Sequence, residues 1–139
     1  MARILILGAG VMGSALTVPA ADNGHEVTLA TTPLDSEILT ALQAGRDRHP
    51  RLGAPLPAEI TVRDAGTLTV ADGAAADLVL VAVSSPGIGW AADTVARLKP
   101  AATVGLATKG LMEARGPVPL TYASAFPDML RERGFEPPA

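Results

Sequence analysis

Residues 3–16 read Arg3-Ile4-Leu5-Ile6-Leu7-Gly8-Ala9-Gly10-Val11-Met12-Gly13-Ser14-Ala15-Leu16. Arg3–Leu7 is a short aliphatic run, the pattern of a strand covered on both faces. Gly8, Gly10 and Gly13 then form G-x-G-x-x-G between that strand and a helix expected from Val11 to about Asn23, with Gly24 as its stop. In this context each glycine has its own task. Gly8 permits a tight turn, Gly10 lets backbone approach a pyrophosphate, and Gly13 lets the helix pack closely on the strand. The anion would face free N–H groups at the positive end of the helix dipole. The same spacing also fits a tight strand–helix turn with no ligand.

Ile4 to Ala21 contains no charged residue, and with Arg3 ahead of it the stretch imitates a membrane span or a signal peptide. The glycine cluster and Pro19 argue against both, since they suit a turn better than a continuous helix in lipid. Pro19 should kink the first helix and leave the Ala15 carbonyl without its usual partner. Beyond it, Glu26–Ala30 reads as a strand and Leu34–Ala44 as a helix stopped by Gly45. A loop rich in Arg and Pro spans Arg46 to Pro57. Ile60–Arg63 reads as a strand, and Leu68–Ala75 fits either strand or short helix. Leu78–Val83 is the clearest strand. Gly87–Leu98 should be a helix with Ser85 as N-cap and Pro86 at its first position. Thr103–Ala107 is another buried strand, and Val118–Arg133 a helix interrupted by Pro127.

The strands are apolar throughout rather than alternating, and they take turns with helices. That pattern predicts one α/β domain over residues 1–139: a Rossmann-type, doubly wound, mostly parallel sheet with helices on both faces. The first strand should be central, with Gly8, Thr32, Ser84 and Lys109 along one edge of the sheet, where ligands sit in such folds.

Composition narrows the function. The chain has 139 residues, 48% of them hydrophobic but only 3% aromatic, so the core is aliphatic. A net charge of −3 with no dense basic patch argues against nucleic acid and anionic membrane as partners. The absence of cysteine excludes disulfides and thiolate metal sites and agrees with a cytoplasmic setting. With only His25 and His49, no metal site is expected.

The end of the second strand usually separates NAD from NADP: an acid binds the ribose 2′-hydroxyl, whereas a nearby Arg accepts a 2′-phosphate. Here stand Thr31 and Thr32, with Asp35 and Glu37 beyond them as expected first-turn helix acids. Either cofactor is open, and the lack of an acid at Thr31 or Thr32 favours acceptance of NADPH. Ser84 and Ser85 follow the strongest strand, where they could touch a cofactor's ribose or nicotinamide end, although Ser85 as a simple helix cap is the favoured reading. Lys109, in Ala107-Thr108-Lys109-Gly110, would point into the same crevice and pair with a phosphate or polarise a carbonyl; a solvated loop lysine is the alternative. His25 is a strand-edge residue. His49 and Arg51 are expected in a solvated surface loop.

The chain resembles the bacterial NAD(P)-dependent glycerol-3-phosphate dehydrogenases. The matching pieces are Gly8-Ala9-Gly10-x-x-Gly13-Ser14-Ala15-Leu16, Asn23-Gly24-His25-Glu26-Val27, Arg51-Leu52 with Leu56-Pro57, Val83-Ser84-Ser85 and Ala107-Thr108-Lys109-Gly110-Leu111. The resemblance implies reversible hydride transfer between glycerone phosphate and sn-glycerol 3-phosphate, a phosphorylated small-molecule substrate, and a step feeding phospholipid synthesis. It implies that Val11, Met12 and Thr32 line the cofactor, that Arg51 lies on a cofactor-side loop, and that Lys109 meets both cofactor and substrate. The family often has an aromatic residue where Met12 stands and a basic or imidazole side chain where Thr32 stands. Its members continue into an all-helical domain that carries the catalytic lysine, so no catalytic residue is expected within these residues. A homodimer is left open for the full-length protein. Two other readings fit the same motifs: the cofactor domain of a ketopantoate-reductase-like enzyme, and a stand-alone nucleotide sensor.

Overall fold

A computed structural model describes residues 1–112 and 118–138. The strands are β1 (Arg3–Leu7), β2 (Glu26–Thr31), β3 (Thr61–Asp64), β4 (Leu78–Val81) and β5 (Thr103–Leu106). They form one sheet in the order β3-β2-β1-β4-β5, with every neighbouring pair parallel. β1 is therefore central, and Leu7 at its end lies level with Ala30 of β2 and Val81 of β4. β5 forms one edge of the sheet.

The helices are α1 (Val11–Asp22), α2 (Ser36–Ala44), α3 (Val70–Ala75), α4 (Ile88–Leu98) and α5 (Tyr122–Arg131). Successive strand side chains point to opposite faces, so β1 feeds two cores at once. Ile4 and Ile6 join Val27, Leu29, Ile38, Leu42 and Leu56 in the layer of α1 and α2. Leu5 and Leu7 join Val79, Val81, Ala91, Val95 and Leu98 in the layer of α3 and α4, which α5 completes with Phe126 and Leu130. The charge-free run is thus a strand, a turn and a helix, and no helix among the described residues is long and apolar enough to cross a membrane.

Several boundaries differ from the sequence reading for identifiable reasons. The ambiguous stretch before β4 is helical because Thr69 and Asp72 form a reciprocal capping box at the start of α3. Both Pro19 and Pro127 lie inside unbroken helices, so Pro127 does not interrupt α5. The carbonyls that each proline leaves without an N–H donor are those of Ala15 and Ala123, both on exposed residues where water can take their place. Residues 118–121 precede α5 rather than belonging to it. Ser85 does not cap α4; Ser85–Gly87 forms a single 3-10 turn ahead of that helix, and the Ser85 hydroxyl bonds elsewhere.

Candidate functional site

Because all five strands run the same way, the segments leaving their C-terminal ends gather on one edge of the sheet. Gly8, Thr32, Ser84 and Lys109 all follow such ends. The crevice floor is the turn from β1 to α1. The Gly8 N–H donates to the Ala30 carbonyl at 2.8 Å, wedging the turn between β2 and β4.

The three glycines are not equivalent. Gly8 has φ +110°, and a Cβ there would stand 2.8 Å from the Ala82 carbonyl oxygen. A Cβ on Gly13 would stand 1.9 Å from the Gly8 carbonyl oxygen, so α1 packs on its own turn only because that side chain is missing. Gly10 differs: a Cβ there would meet nothing within 4 Å. Its missing side chain relieves no contact within the protein and leaves room beside the backbone for something else.

Gly10 is also the N-cap of α1, and no side chain caps that end; the first turn contains no acid. The first N–H groups of a helix need acceptors, and an anion supplies them. Val11 and Met12 lie half exposed at this mouth. The turn therefore fits a pyrophosphate, by the open space at Gly10 and by the uncapped donors.

The neighbouring segments supply the walls. Thr31 is 1% exposed, with its hydroxyl 3.4 Å from the Arg63 carbonyl, so it belongs to the core and not to the discriminating pair the sequence suggested. Thr32, the first residue beyond β2, is partly exposed, and its hydroxyl accepts the Leu34 N–H at 3.2 Å. Asp35 precedes α2 but turns back. Its carboxylate accepts the Thr32 N–H at 2.9 Å and the Ala9 N–H at 3.4 Å, which places an acid against the glycine turn. Glu37 is the acid of the first turn of α2, as expected.

On the other side, two hydrogen bonds tie the segments after β4 and β5. The Thr108 hydroxyl donates to the Val83 carbonyl at 2.7 Å, and the Ser85 hydroxyl donates to the Lys109 carbonyl at 3.2 Å. Ser84 and Lys109 are exposed next to this clasp. Gly110 follows with φ +126°, and a Cβ there would press on the Tyr122 ring at 2.9 Å, so the turn after Lys109 requires glycine. His25 sits at the opposite end of the sheet, where its Nδ1 accepts the Ala2 N–H at 3.1 Å.

The largest departure is the loop over residues 46–57. Instead of being solvated, His49 is 6% exposed and reaches the glycine turn, with its Nε2 2.9 Å from the Ala9 carbonyl oxygen. Arg46 anchors the start of the same loop by donating to the Leu42 and Ile60 carbonyls. Arg51 is exposed as expected, but on a loop fastened to the site. Among the described residues, Arg48 and Arg51 are the arginines whose guanidinium groups have no partner; Arg3, Arg46, Arg63, Arg97, Arg131 and Arg133 all have one. The contact between His49 and Ala9 spans forty residues of chain, and no local pattern signals it.

Fold and crevice together define a Rossmann-type nucleotide-binding unit. The sequence pattern of the NAD-dependent glycerol-3-phosphate dehydrogenase N-terminus matches residues 3–124, and the chain belongs to that family. It is 58% identical over 53 residues to an NADP-dependent glycerol-3-phosphate dehydrogenase of Archaeoglobus fulgidus, covering 38% of this chain and 16% of that protein. It is 37% identical over 113 residues to an NAD(P)-dependent glycerol-3-phosphate dehydrogenase of Pseudoalteromonas translucida, covering 78% of this chain and 31% of that one. Among solved structures, a glycerol-3-phosphate dehydrogenase of Plasmodium falciparum superposes with a TM-score of 0.74 at 21% identity, covering 93% of this chain and 38% of that one. The chain thus spans less than a third of the length of the curated relatives it matches.

Proposed function

We propose that this chain holds NAD or NADP by its pyrophosphate at the Gly8–Gly13 turn, as the cofactor-binding unit of an enzyme that interconverts glycerone phosphate and sn-glycerol 3-phosphate. The open space at Gly10, beside an uncapped helix end, carries the reading. Gly10, Val11, Met12 and Gly13 would hold the pyrophosphate, with Thr32 and Arg51 towards the adenosine end and Ser84 and Lys109 towards the nicotinamide. The bound cofactor supplies the hydride. Lys109 supplies a cation: it is exposed beyond β5, and its ammonium has no ion pair among the described residues. It would anchor a phosphate or polarise a carbonyl where charge develops. The reading places the catalytic proton transfer outside residues 1–139. It carries with it a cytoplasmic setting and a supply of glycerol phosphate for phospholipid synthesis.

Calorimetric titration with NADPH and NADH tests the proposal. Wild-type chain should bind at least one of them, and Gly10→Val should abolish binding by obstructing the pyrophosphate. Equal binding by both proteins would reject the assigned turn.

A further inference from the structure

His49 is the buried imidazole of the chain, and its hydrogen bonds define its protonation. The backbone N–H groups of Arg51 and Leu52 both point at Nδ1, at 3.2 and 3.0 Å. A backbone N–H can only donate, so Nδ1 carries a lone pair. The ring proton then lies on Nε2 and is donated to the Ala9 carbonyl at 2.9 Å. That carbonyl also accepts the Ser14 hydroxyl at 3.0 Å, which fills its second lone pair. The Ala9 N–H goes to Asp35. Ala9 is fully buried, with both backbone groups taken by side chains from three separate segments.

The Ala9–Gly10 peptide is planar and trans, so its N–H points away from its carbonyl. Fixing the Ala9 carbonyl on His49 and Ser14 therefore fixes the direction of the Gly10 N–H, the first donor of the uncapped end of α1. The same ring holds the loop on which Arg48 and Arg51 stand without partners among the described residues.

We propose that His49, as the neutral Nε2–H tautomer, is a positioning residue. It orients the Ala9–Gly10 peptide for the dinucleotide's pyrophosphate and holds the Arg48–Arg51 segment beside it. The proposal rests on the cofactor reading above, and its test separates the two.

The probes are NADPH titration, thermal unfolding and ¹⁵N NMR on the 139-residue chain. Wild type should show His49 protonated at Nε2 and bare at Nδ1. His49→Phe keeps a ring but no hydrogen bond; it should shift the Gly10 amide resonance and weaken NADPH binding by about tenfold or more. His49→Gln has an N–H at the same bond count from Cβ as Nε2, and it should restore affinity to within about threefold of wild type. Rescue by Gln distinguishes positioning from space filling. The proposal is overturned by an Nδ1–H tautomer in wild type, by undiminished NADPH binding in the Phe variant, or by a Gln variant no tighter than Phe. If His49→Phe fails to fold, the tautomer and the Gln variant decide. If wild type binds neither NADPH nor NADH, the cofactor reading falls, while an unmoved Gly10 amide in the variants would independently overturn the latch.

Discussion

The Ser85 hydroxyl and the Lys109 carbonyl meet at 3.2 Å, joining the segment after β4 to the segment after β5 across 24 residues of chain. With the Thr108–Val83 bond beside it, this clasp sets where the Lys109 side chain starts. Residues 1–139 alone should show no glycerone phosphate reduction in a steady-state NADPH oxidation assay. In an enzyme carrying the remaining length of its relatives, Lys109→Ala should lower kcat/KM by about two orders of magnitude or more, close to 3 kcal/mol of transition-state stabilisation. Turnover by the 139-residue chain would place the proton-transfer group within it.

The glycines should separate by stability. Gly10→Val should leave the thermal midpoint nearly unchanged, since its Cβ meets no heavy atom within 4 Å. Gly13→Ala forces a Cβ towards the Gly8 carbonyl from 1.9 Å and should cost about 3 kcal/mol or prevent folding. Denaturant unfolding of both variants checks this, and a Gly13→Ala protein as stable as wild type would contradict the packing of α1 on its turn.

Cofactor choice turns on opposing charges. The Asp35 carboxylate lies against the glycine turn, where it would disfavour a 2′-phosphate, while Arg48 and Arg51 stand unpaired among the described residues on the latched loop. Two cations against one acid, itself occupied by two N–H groups, should let NADPH bind at least as well as NADH. Arg51→Ala should weaken NADPH by about tenfold and NADH by no more than about twofold. A wild-type preference of about a hundredfold for NADH would show that Asp35 dominates.

Acid sensitivity should be traceable to α3. Hydrogen bonds from the Thr69 backbone N–H (2.6 Å) and hydroxyl (2.8 Å), then Arg63 at 2.6 Å, hold the Asp72 carboxyl below its usual 3.8. A depressed carboxylate contributes stability above its unfolded value and loses it as pH falls through the folded one. Asp72→Asn should cost about 1 kcal/mol near pH 6, and the difference should shrink as pH falls below the carboxyl's usual 3.8 and through its lowered folded value. A constant difference across that range would remove the carboxylate's charge from the explanation.

Much of this was readable because the fold rests on local patterns. The aliphatic runs at Ile4–Leu7 and Leu78–Val81 identify central strands regardless of their partners, and Gly8, Gly10 and Gly13 identify the turn. Thr69 and Asp72 carried a legible capping signal three residues apart, masked by the Thr and Val content around it. Distant pairing was not readable. His49 looked like any loop histidine because its acceptor, Ala9, is forty residues away, and Asp35 looked like a helix acid because its turn back towards Ala9 depends on where β1 ends. Thr31 is the last residue of β2 and Thr32 the first beyond it, and two identical neighbours do not reveal where the strand ends.

The edge position of β5 has a practical outcome for anyone handling these 139 residues. β5 pairs with β4 on one side, and among the described residues no strand pairs with its other side, so a row of its amide and carbonyl groups stands outside the ladder next to the half-covered side chains of Val104 and Leu106. Two such edges from different molecules can zip together. Purified chain should therefore self-associate as concentration rises, and dilute samples are the appropriate starting point for every titration described above.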